Sequence, residues 1–343
     1  MADGGEGFED IIVNNSGGQH VFCSASNALG DKIKSQYGLL PNNKTAVIEM
    51  AKTSALADIP LDLRNPMNTS TFGMGEQILH AINQEYQNIV IGLGGSGAHD
   101  MGLGLLQALG FQFFDSNNNL LPAAQGAKQL TQIAKIDESQ VFPIIKNCHY
   151  TIACDVVNLL LGECGAAKTY APQKGATPDM VEQLEKGAAN FANVIKKYNG
   201  IDVTSLKGGG AAGGVGAAMT ALLGAKMQSG IDLVMQYSGI EQDLAQGIDL
   251  VITGEGKMDN QSLNGKVPFG IASICSKYNT PVMAFCGRLG KDWQELKKYF
   301  VSINEISPKD MELAQAIKNT PQNLQLAVKQ AIATWIKQKS NKR

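Results

Sequence analysis

The chain has 343 residues, and its 29 lysines and arginines nearly balance its 31 aspartates and glutamates, which gives a formal net charge of −2. This balance argues against nucleic acid or a membrane surface as a partner, because both attract proteins that carry excess positive charge. No apolar run reaches the length of a membrane span and the six cysteines show no C-x-x-C spacing, so we expect a cytoplasmic protein with reduced thiols.

Short strands and turns are predicted for the first sixty residues. The strand candidates are Ile11–Val13, His20–Cys23 and Ala46–Met50, which are apolar or β-branched. From Thr71 onward, helical patterns alternate with apolar runs. Helices are predicted over 74–84, 98–109, 178–198, 267–278 and 321–338, and strands over 88–92, 150–155, 249–253 and 281–286. This alternation predicts an α/β protein with a largely parallel sheet that helices cover on both sides.

Two helix starts have clear signals. Thr177-Pro178-Asp179 supplies a capping hydroxyl, a proline for the first helical position and an acid for the positive end of the dipole. Thr320-Pro321 repeats the device. The helix that follows has its apolar residues on one face, so we expect it to pack on a core; they are Leu324, Val328, Ile332, Trp335 and Ile336.

The stretch from 88 to 115 has the order of a dinucleotide-binding fingerprint. An apolar strand leads to Gly92, Gly94 and Gly97, then a helix, then a second apolar run that ends at Asp115. Asp100 opposes this interpretation, because a carboxylate in the first turn of the helix would repel a pyrophosphate. It suits a site where a metal bridges protein and phosphate, or where a base meets a hydroxyl. The alternative is that it merely stabilises the helix terminus.

Three other stretches place charged residues in glycine-rich loops. Residues 249–272 run from a strand through Glu255 and Asp259 to Lys266, at the end of a strand where open α/β sheets bind ligands. Residues 150–180 carry Asp155 at a strand end and Gln173-Lys174 before the capped helix. The first seven residues, M-A-D-G-G-E-G, contain Asp3 and Glu6. An ordinary polar loop and a frayed terminus are the alternatives for the first and last of these.

Acids at several strand ends, glycine loops and a few lysines suit phosphate and Mg²⁺ better than hydride transfer. Phosphoryl transfer needs mainly positioning and charge neutralisation. The residues alone therefore favour a kinase.

At these clusters the sequence resembles the class I glycerate kinases. The matching stretches are Met1–Gly7, Ala46–Ala51, Arg64–Glu76, Gly92–Gly102, Ala153–Val156, Pro172–Ala176, Gly210–Gly214 and Asp249–Lys266, in the family's order over nearly the whole chain. The sequence departs from the family's G-G-S-A-T-N-D-G-G at Ala98 and His99, where a threonine and an asparagine are usual. If either of those orders phosphate or metal, affinity should fall or the acceptor preference change.

The resemblance implies a flavodoxin-like domain with an inserted α/β domain, and substrates that bind between them. The expected boundaries are 8–204 for the inserted domain, and 1–7 with 205–343 for the flavodoxin-like domain. Family members begin with a strand, a loop and a helix before M-A-D-G-G-E-G. We therefore expect either that the true start lies upstream or that the chain is a decayed copy.

The implied activity is transfer of the ATP γ-phosphoryl group to D-glycerate, with Mg²⁺, giving 2-phosphoglycerate or else 3-phosphoglycerate. Asp100 and Asp155 are candidates for metal binding or for the base, Glu255 and Asp259 for the metal, and Lys174 and Lys266 for neutralising the phosphoryl group. Arg64 is a candidate clamp for the substrate carboxylate. The remaining binding candidates are Asp3, Glu6, Gly94, Gly95, Ser96, Gln173, Gly208, Gly210 and Gly213.

Two rival functions remain at this point. One is a catalytically impaired remnant of a glycerate kinase, which the altered Ala98-His99 pair favours. The other is an NAD(P)-dependent oxidoreductase, based on Gly92–Gly97 and Asp115. The oligomeric state is left open, with a homo-oligomer as one option.

Overall fold

The structure, a computed structural model, describes residues 4–41, 44–263, 267–308 and 310–340. The chain divides into two compact units, Met1–Ser238 and Gly239–Arg343. The predicted boundaries differ from these, and the assignment of two domains at 8–204 and at 1–7 with 205–343 stays a prediction. Asp3 and Lys266 lie outside the described residues.

The described part of the first unit contains both helices and strands. Its α-helices are α1 (Phe8–Asn15), α2 (Ala51–Ser54), α3 (Phe72–Asn83), α4 (Leu103–Ala108), α5 (Pro143–Lys146), α6 (Ala166–Tyr170), α7 (Pro178–Asn199), α8 (Val215–Leu223) and α9 (Gly230–Ser238). Its strands are β1 (Gln19–Ser26), β2 (Lys32–Leu40), β3 (Thr45–Glu49), β4 (Asn88–Gly92), β5 (Gln112–Phe114), β6 (Lys135–Asp137), β7 (His149–Ala153) and β8 (Lys226–Gln228).

The main sheet of the first unit has six strands in the order β1-β2-β3-β4-β7-β8. β1, β2 and β3 pair antiparallel, whereas β3, β4, β7 and β8 pair parallel. In β4, Ile89 and Ile91 face the larger apolar cluster, while Val90 faces a second cluster with Phe8 and Ile12 of α1. Burial of both faces is what an apolar parallel strand requires. The predicted α/β class with a parallel-rich sheet is confirmed.

Two predicted elements differ in the structure. Ile11–Val13 lies in helix α1 rather than in a strand, because a short apolar run cannot distinguish the two and Phe8 and Ile12 pack from one helical face. The helix predicted from residue 98 begins only at Leu103, since Met101 (φ 51°) and Gly102 (φ 72°) adopt left-handed conformations. Asp100 therefore precedes the helix and is not part of its first turn.

The position of Asp115 argues against the dinucleotide interpretation. β5, which ends just before it, pairs antiparallel with β6 in a separate two-stranded sheet, whereas the neighbours of β4 are β3 and β7. In a dinucleotide fold the acid follows a strand parallel to the first. Here Asp115 is half-buried and holds a turn through the N–H groups of Asn117 and Asn119.

The described part of the second unit is smaller. Its helices are α10 (Ile240–Ala245), α11 (Val267–Lys277), α12 (Leu313–Lys318) and α13 (Thr320–Ser340), and its strands are β9 (Val251–Met258), β10 (Val282–Leu289) and β11 (Ser302–Glu305). The strands form a parallel sheet in the order β11-β10-β9.

Helix α13 contacts β10 and β11 but is less buried than predicted. The structure buries none of its described residues, and Leu324 and Ile336 are each more than a third exposed. Among the described residues, no helix combines the length and the apolar character that would let it cross a bilayer.

Candidate active site

A cavity of about 480 Å³ lies in the first unit, where β4 and β7 end. The carboxyl ends of parallel strands are the usual ligand-binding edge of an open α/β sheet. The residues that line it come from six chain segments: Gly4 and Gly5; Leu56; Leu93, Gly94, Gly95 and Ser96; Ala153, Cys154, Asp155 and Val156; Tyr170, Gln173 and Lys174; and Ala211 and Ala212. The structure thus brings together the predicted residues Gly94, Gly95, Ser96, Asp155, Gln173 and Lys174.

The loop after β4 packs directly on the beginning of the described chain. The N–H of Gly94 donates to the carbonyl of Gly4 at 2.8 Å, and an ideal Cβ on Gly94 would lie 2.3 Å from the Cα of Gly5. Real Cβ atoms do not approach this closely. Glycine is required at 94 because another backbone occupies the space of a side chain.

The segment from Gly4 to Gly7 is anchored. The buried carboxylate of Glu49, at the end of β3, accepts the N–H groups of Gly7 at 3.1 Å and of Glu9 at 3.0 Å. Burial raises the pKa of Glu49, whereas these two N–H groups and Lys52 act in the opposite direction. The predicted binding residue Glu6 is exposed, and its carboxylate lies beside Gly95.

Asp155 is exposed at the cavity, two residues after β7. Its Oδ1 accepts the N–H of Gly230 at 3.0 Å, which is the first residue of helix α9. The positive end of a helix dipole favours a charged carboxylate. Asp155 therefore lines the cavity with its carboxylate anchored at the start of a helix, where a cation could bind it.

Asp100 is fully buried and does not line the cavity. Its oxygens accept the N–H of Thr71 at 2.9 Å, the Oγ1 of Thr71 at 3.0 Å, and the N–H groups of Gly102 and Gly104 at 3.1 Å. Thr71 and Gly102 precede helices α3 and α4, so one carboxylate caps both. Burial raises its pKa, and the backbone donors oppose this. Its predicted role as metal ligand or base stays a prediction, and the geometry gives it a structural task first.

Lys174 is 2% exposed and its ammonium points to the glycine loop. Nζ donates to the Oγ of Ser96 at 2.8 Å and to the carbonyl of Ala98 at 2.6 Å. Burial lowers the pKa of Lys174 to about 7, and the nearby charge of Asp100 acts in the opposite direction. Gln173, its neighbour, is exposed at the cavity.

The glycine-rich segment 208–214 contributes two residues to the cavity. Gly208, Gly210 and Gly213 are buried and do not line it, while Ala211 and Ala212 do. Gly213 (φ 69°) packs on His99, because an ideal Cβ there would lie 2.6 Å from the His99 Cα. Burial and the charge of Lys174 hold the pKa of His99 well below its usual value, so its ring is neutral. Among the described residues, its Nδ1 finds no hydrogen-bond partner.

Arg64 does not line the cavity. Its guanidinium donates to the backbone carbonyls of Ile59 at 3.2 Å and of Leu56 at 3.1 Å. These contacts hold the loop that contains Leu56, a cavity residue. The predicted role of Arg64 as a carboxylate clamp stays a prediction.

The second unit holds the remaining predicted acids. Glu255 lies in β9 and accepts a hydrogen bond from the Oγ of Ser262. Asp259, which is 7% exposed, pairs with the ammonium of Lys257 at 3.0 Å. Glu255 and Lys257 line a cavity of about 720 Å³ in this unit, whereas Asp259 does not.

Sequence reasoning missed some residues of the site. Tyr170 lines the cavity and donates its hydroxyl to Asn158 at 2.7 Å; its place just before Pro172-Gln173-Lys174 was the available signal. Cys154, whose pKa burial raises, lies beside Asp155 in the lining. Thr71 lies in the family-like stretch Arg64–Glu76, but its contact with Asp100 is visible only in the structure.

Comparisons with known proteins identify the family of this chain and a solved structure with a similar fold. A model of the "Glycerate kinase family" matches residues 1–336. A protein named glycerate kinase from Halalkalibacterium halodurans is 38% identical over 340 residues, which is 98% of this chain and 89% of the relative. A protein named glycerate 2-kinase from Escherichia coli is 41% identical over 292 residues, covering 85% of this chain and 76% of the relative. A crystal structure from Salmonella typhimurium LT2 that carries the glycerate kinase 2 name matches with a TM-score of 0.86 at 38% identity, covering 99% of this chain and 88% of the other.

Proposed function

The chain belongs to the glycerate kinase family and is a glycerate kinase; from this premise we propose that it transfers the γ-phosphoryl group of ATP to D-glycerate. We propose 2-phosphoglycerate as the product, with 3-phosphoglycerate as the alternative. A hydroxyl oxygen of glycerate bonds to the γ-phosphorus, the bond from that phosphorus to the β,γ-bridging oxygen breaks, ADP leaves, and a base accepts the hydroxyl proton.

The observation that carries this proposal is the meeting of the Gly94–Ser96 loop with Asp155 in one cavity. Loop backbone at the end of a parallel strand can offer N–H groups to a phosphate. A carboxylate at the same edge can hold the cation that accompanies ATP or accept a proton from a hydroxyl. The rival interpretation as an oxidoreductase has no use for Asp155, and Asp115 lies on an unrelated turn.

The donor set of this cavity fits Mg²⁺. Carboxylate oxygens are ligands that Mg²⁺ prefers, usually one or two per site together with substrate phosphates. Asp155 is exposed at the cavity and would hold the ion there. When bound, Mg²⁺ supplies charge neutralisation to the phosphates. Glu255, Asp259 and Lys266 remain proposals for further metal or phosphate contacts, as does Arg64 for the glycerate carboxylate.

The activity is tested by ADP release with purified full-length protein, ATP and Mg²⁺, with and without D-glycerate. We expect ADP to form in proportion to glycerate. Coupling to enolase, which dehydrates 2-phosphoglycerate, then distinguishes the two products. Folded protein that releases no ADP with glycerate would reject the proposal and favour an impaired remnant. Binding in an NADH fluorescence titration would favour the oxidoreductase.

Asp155→Asn tests the role of the carboxylate. We expect a fall of about 100-fold or more in kcat with Mg²⁺, because the amide is a weaker metal ligand and cannot accept a proton as a base. The matched control is Asp179→Asn, at an exposed aspartate in the first turn of α7 that does not line the cavity. Unchanged turnover in the Asp155 variant would remove this residue from the site.

A further inference from the structure

The surroundings of Lys174 assign it a task different from contact with a phosphate. We propose that Lys174 is a positioning residue, which fixes the segment from Gly94 to Ala98 in its ligand-binding shape and acts on the substrates only through that segment. This inference rests on the proposed kinase function, although its central test does not.

The ammonium is committed to the loop. Its contacts are the Oγ of Ser96 at 2.8 Å and the carbonyl of Ala98 at 2.6 Å, and the residue is 2% exposed. To reach a phosphoryl group, Nζ would have to leave both acceptors. That would leave the buried carbonyl of Ala98 without its donor. An unsatisfied buried acceptor costs more free energy than a typical hydrogen bond contributes to stability.

The residue after Lys174 is connected to the same segment by a second route. Gly175 (φ 90°) follows it, and an ideal Cβ there would lie 2.3 Å from the carbonyl oxygen of Arg64. The guanidinium of Arg64 binds the carbonyl of Leu56 at 3.1 Å. The N–H of Leu56 in turn donates to the carbonyl of Gly95 at 2.8 Å. The Lys174 side chain contacts the loop directly, and the adjacent Gly175 connects to it through Arg64 and Leu56.

Within the described part of the chain, the other hydrogen bonds of the loop involve its backbone and do not involve the side chain of Ser96. Gly97 donates its N–H to the carbonyl of Ser54 at 2.6 Å and accepts the Oγ1 of Thr69 at 3.1 Å. Both bonds hold backbone atoms. Among the hydrogen bonds of the described residues, the one from Lys174 is the bond that orients the hydroxyl of Ser96, which lines the cavity.

The central test is hydrogen exchange of the protein without substrates. In Lys174→Met we expect the amides of Leu56 and Gly97 to exchange about tenfold or more faster than in the wild type, because the variant leaves the buried carbonyl of Ala98 without its donor. Amides within α7 should not change. The matched control is Lys168→Met. This lysine is exposed in α6, which precedes Lys174 in the chain, and it does not line the cavity. Equal exchange in wild type and Lys174→Met would overturn the proposal.

A second test separates positioning from direct contact by kinetics. Ser96→Ala removes one acceptor of Lys174 and keeps the charge. If Lys174 acts through the loop, the double variant Ser96→Ala/Lys174→Met should have nearly the kcat/KM of Lys174→Met alone. If the two losses multiply, Lys174 contacts the substrates by itself and the proposal is wrong. Should Lys174→Met fail to fold, Ser96→Ala alone must still speed exchange at Gly97, or the proposal fails. A wild type without glycerate kinase activity would reject the function while the exchange result still decides the role of Lys174.

Discussion

At the scale of single residues, Lys174 makes the stability of the protein depend on pH. Burial lowers its pKa to about 7 in the folded state, whereas a lysine in an unfolded chain titrates near 10.4. Between these values the unfolded chain binds more protons, so the free energy of unfolding rises with pH. Below pH 7 the side chain of Lys174 is charged in the folded protein as well, so the full cost of burying that charge lowers the free energy of unfolding.

Comparison with Lys174→Met isolates this effect. Between pH 7 and pH 9, we expect the free energy of unfolding of the wild type to rise by about 2 kcal/mol relative to that of the variant. A difference of one bound proton between the folded and unfolded states changes this free energy by about 1.4 kcal/mol per pH unit. Urea unfolding of both proteins at the two pH values measures the difference. A constant difference would mean that Lys174 keeps an ordinary pKa in the folded protein.

Asp100 connects two helices through one side chain. In Asp100→Asn the amide NH₂ would face backbone N–H groups that now donate to a carboxylate oxygen. We expect a loss of about 2–4 kcal/mol in the free energy of unfolding, because buried donors lose their acceptor. Differential scanning calorimetry measures it. Asp115→Asn, at a half-buried aspartate in a surface turn, should cost less.

At the scale of elements, the two ends of helix α8 offer a matched pair of glycines. Gly213 and Gly224 both have positive φ, of 69° and 67°. A Cβ at Gly213 would meet the backbone of His99, whereas nothing lies within 4 Å at Gly224. We expect Gly224→Ala to cost about 1 kcal/mol from backbone strain alone. Gly213→Ala should cost more and should also lower kcat/KM, since the loop that carries Ala211 and Ala212 would move. Thermal melts and the ADP assay measure both effects; equal effects at the two sites would contradict the steric argument.

Helices α7 and α13 have similar lengths but bury different numbers of residues. α7 buries seven residues, among them Leu184 and Phe191, and α13 buries none of its described residues. We expect the amides of α13 to exchange faster than those of α7, because helix stability comes mainly from tertiary packing. Hydrogen exchange with mass spectrometry tests this. Comparable protection would mean that α13 is covered in solution.

The same two helices indicate how far the sequence predicts the fold. Local signals suffice for α7, where Thr177 caps the helix through the N–H of Met180 and Gly200 ends it. For α13 the bounds were predicted well, yet its burial was not, because periodicity identifies an apolar face and cannot say what covers it. The start of α4 was wrong for another reason: left-handed Met101 depends on contacts with the distant Gly213 and Gly214.

The candidate site was predicted in part. Glycine loops and strand-end acids have local signals, so Gly94–Ser96, Asp155 and Lys174 were named from sequence and lie at one cavity. The direction of a side chain has no such signal. Asp100 turns to Thr71, 29 residues earlier, and Lys174 turns to Ser96, 78 residues earlier. Such contacts exist only once the fold has formed.

At the scale of the whole molecule, the two units should unfold separately. The largest fully buried side chains, such as Tyr37, Phe113 and Phe191, all belong to the first unit. Both tryptophans, Trp293 and Trp335, belong to the second. We expect the tryptophan fluorescence transition at a lower urea concentration than the main transition in far-ultraviolet circular dichroism, since less apolar surface is buried around it. Coincident transitions would show a single cooperative unit.

The contact between Gly94 and the Gly4–Gly5 segment has a consequence for how this protein can vary. Any side chain at position 94 displaces the early segment, and Gly4 (φ 102°) already fits tightly against Ala153. Once one of these positions is substituted, the contact is lost, so a second substitution reduces stability little further. Fitness measurements on libraries of paired variants should therefore show strong epistasis between positions 4 and 94, with double variants no worse than the poorer single one. Selection would then act mainly against the first substitution in this region.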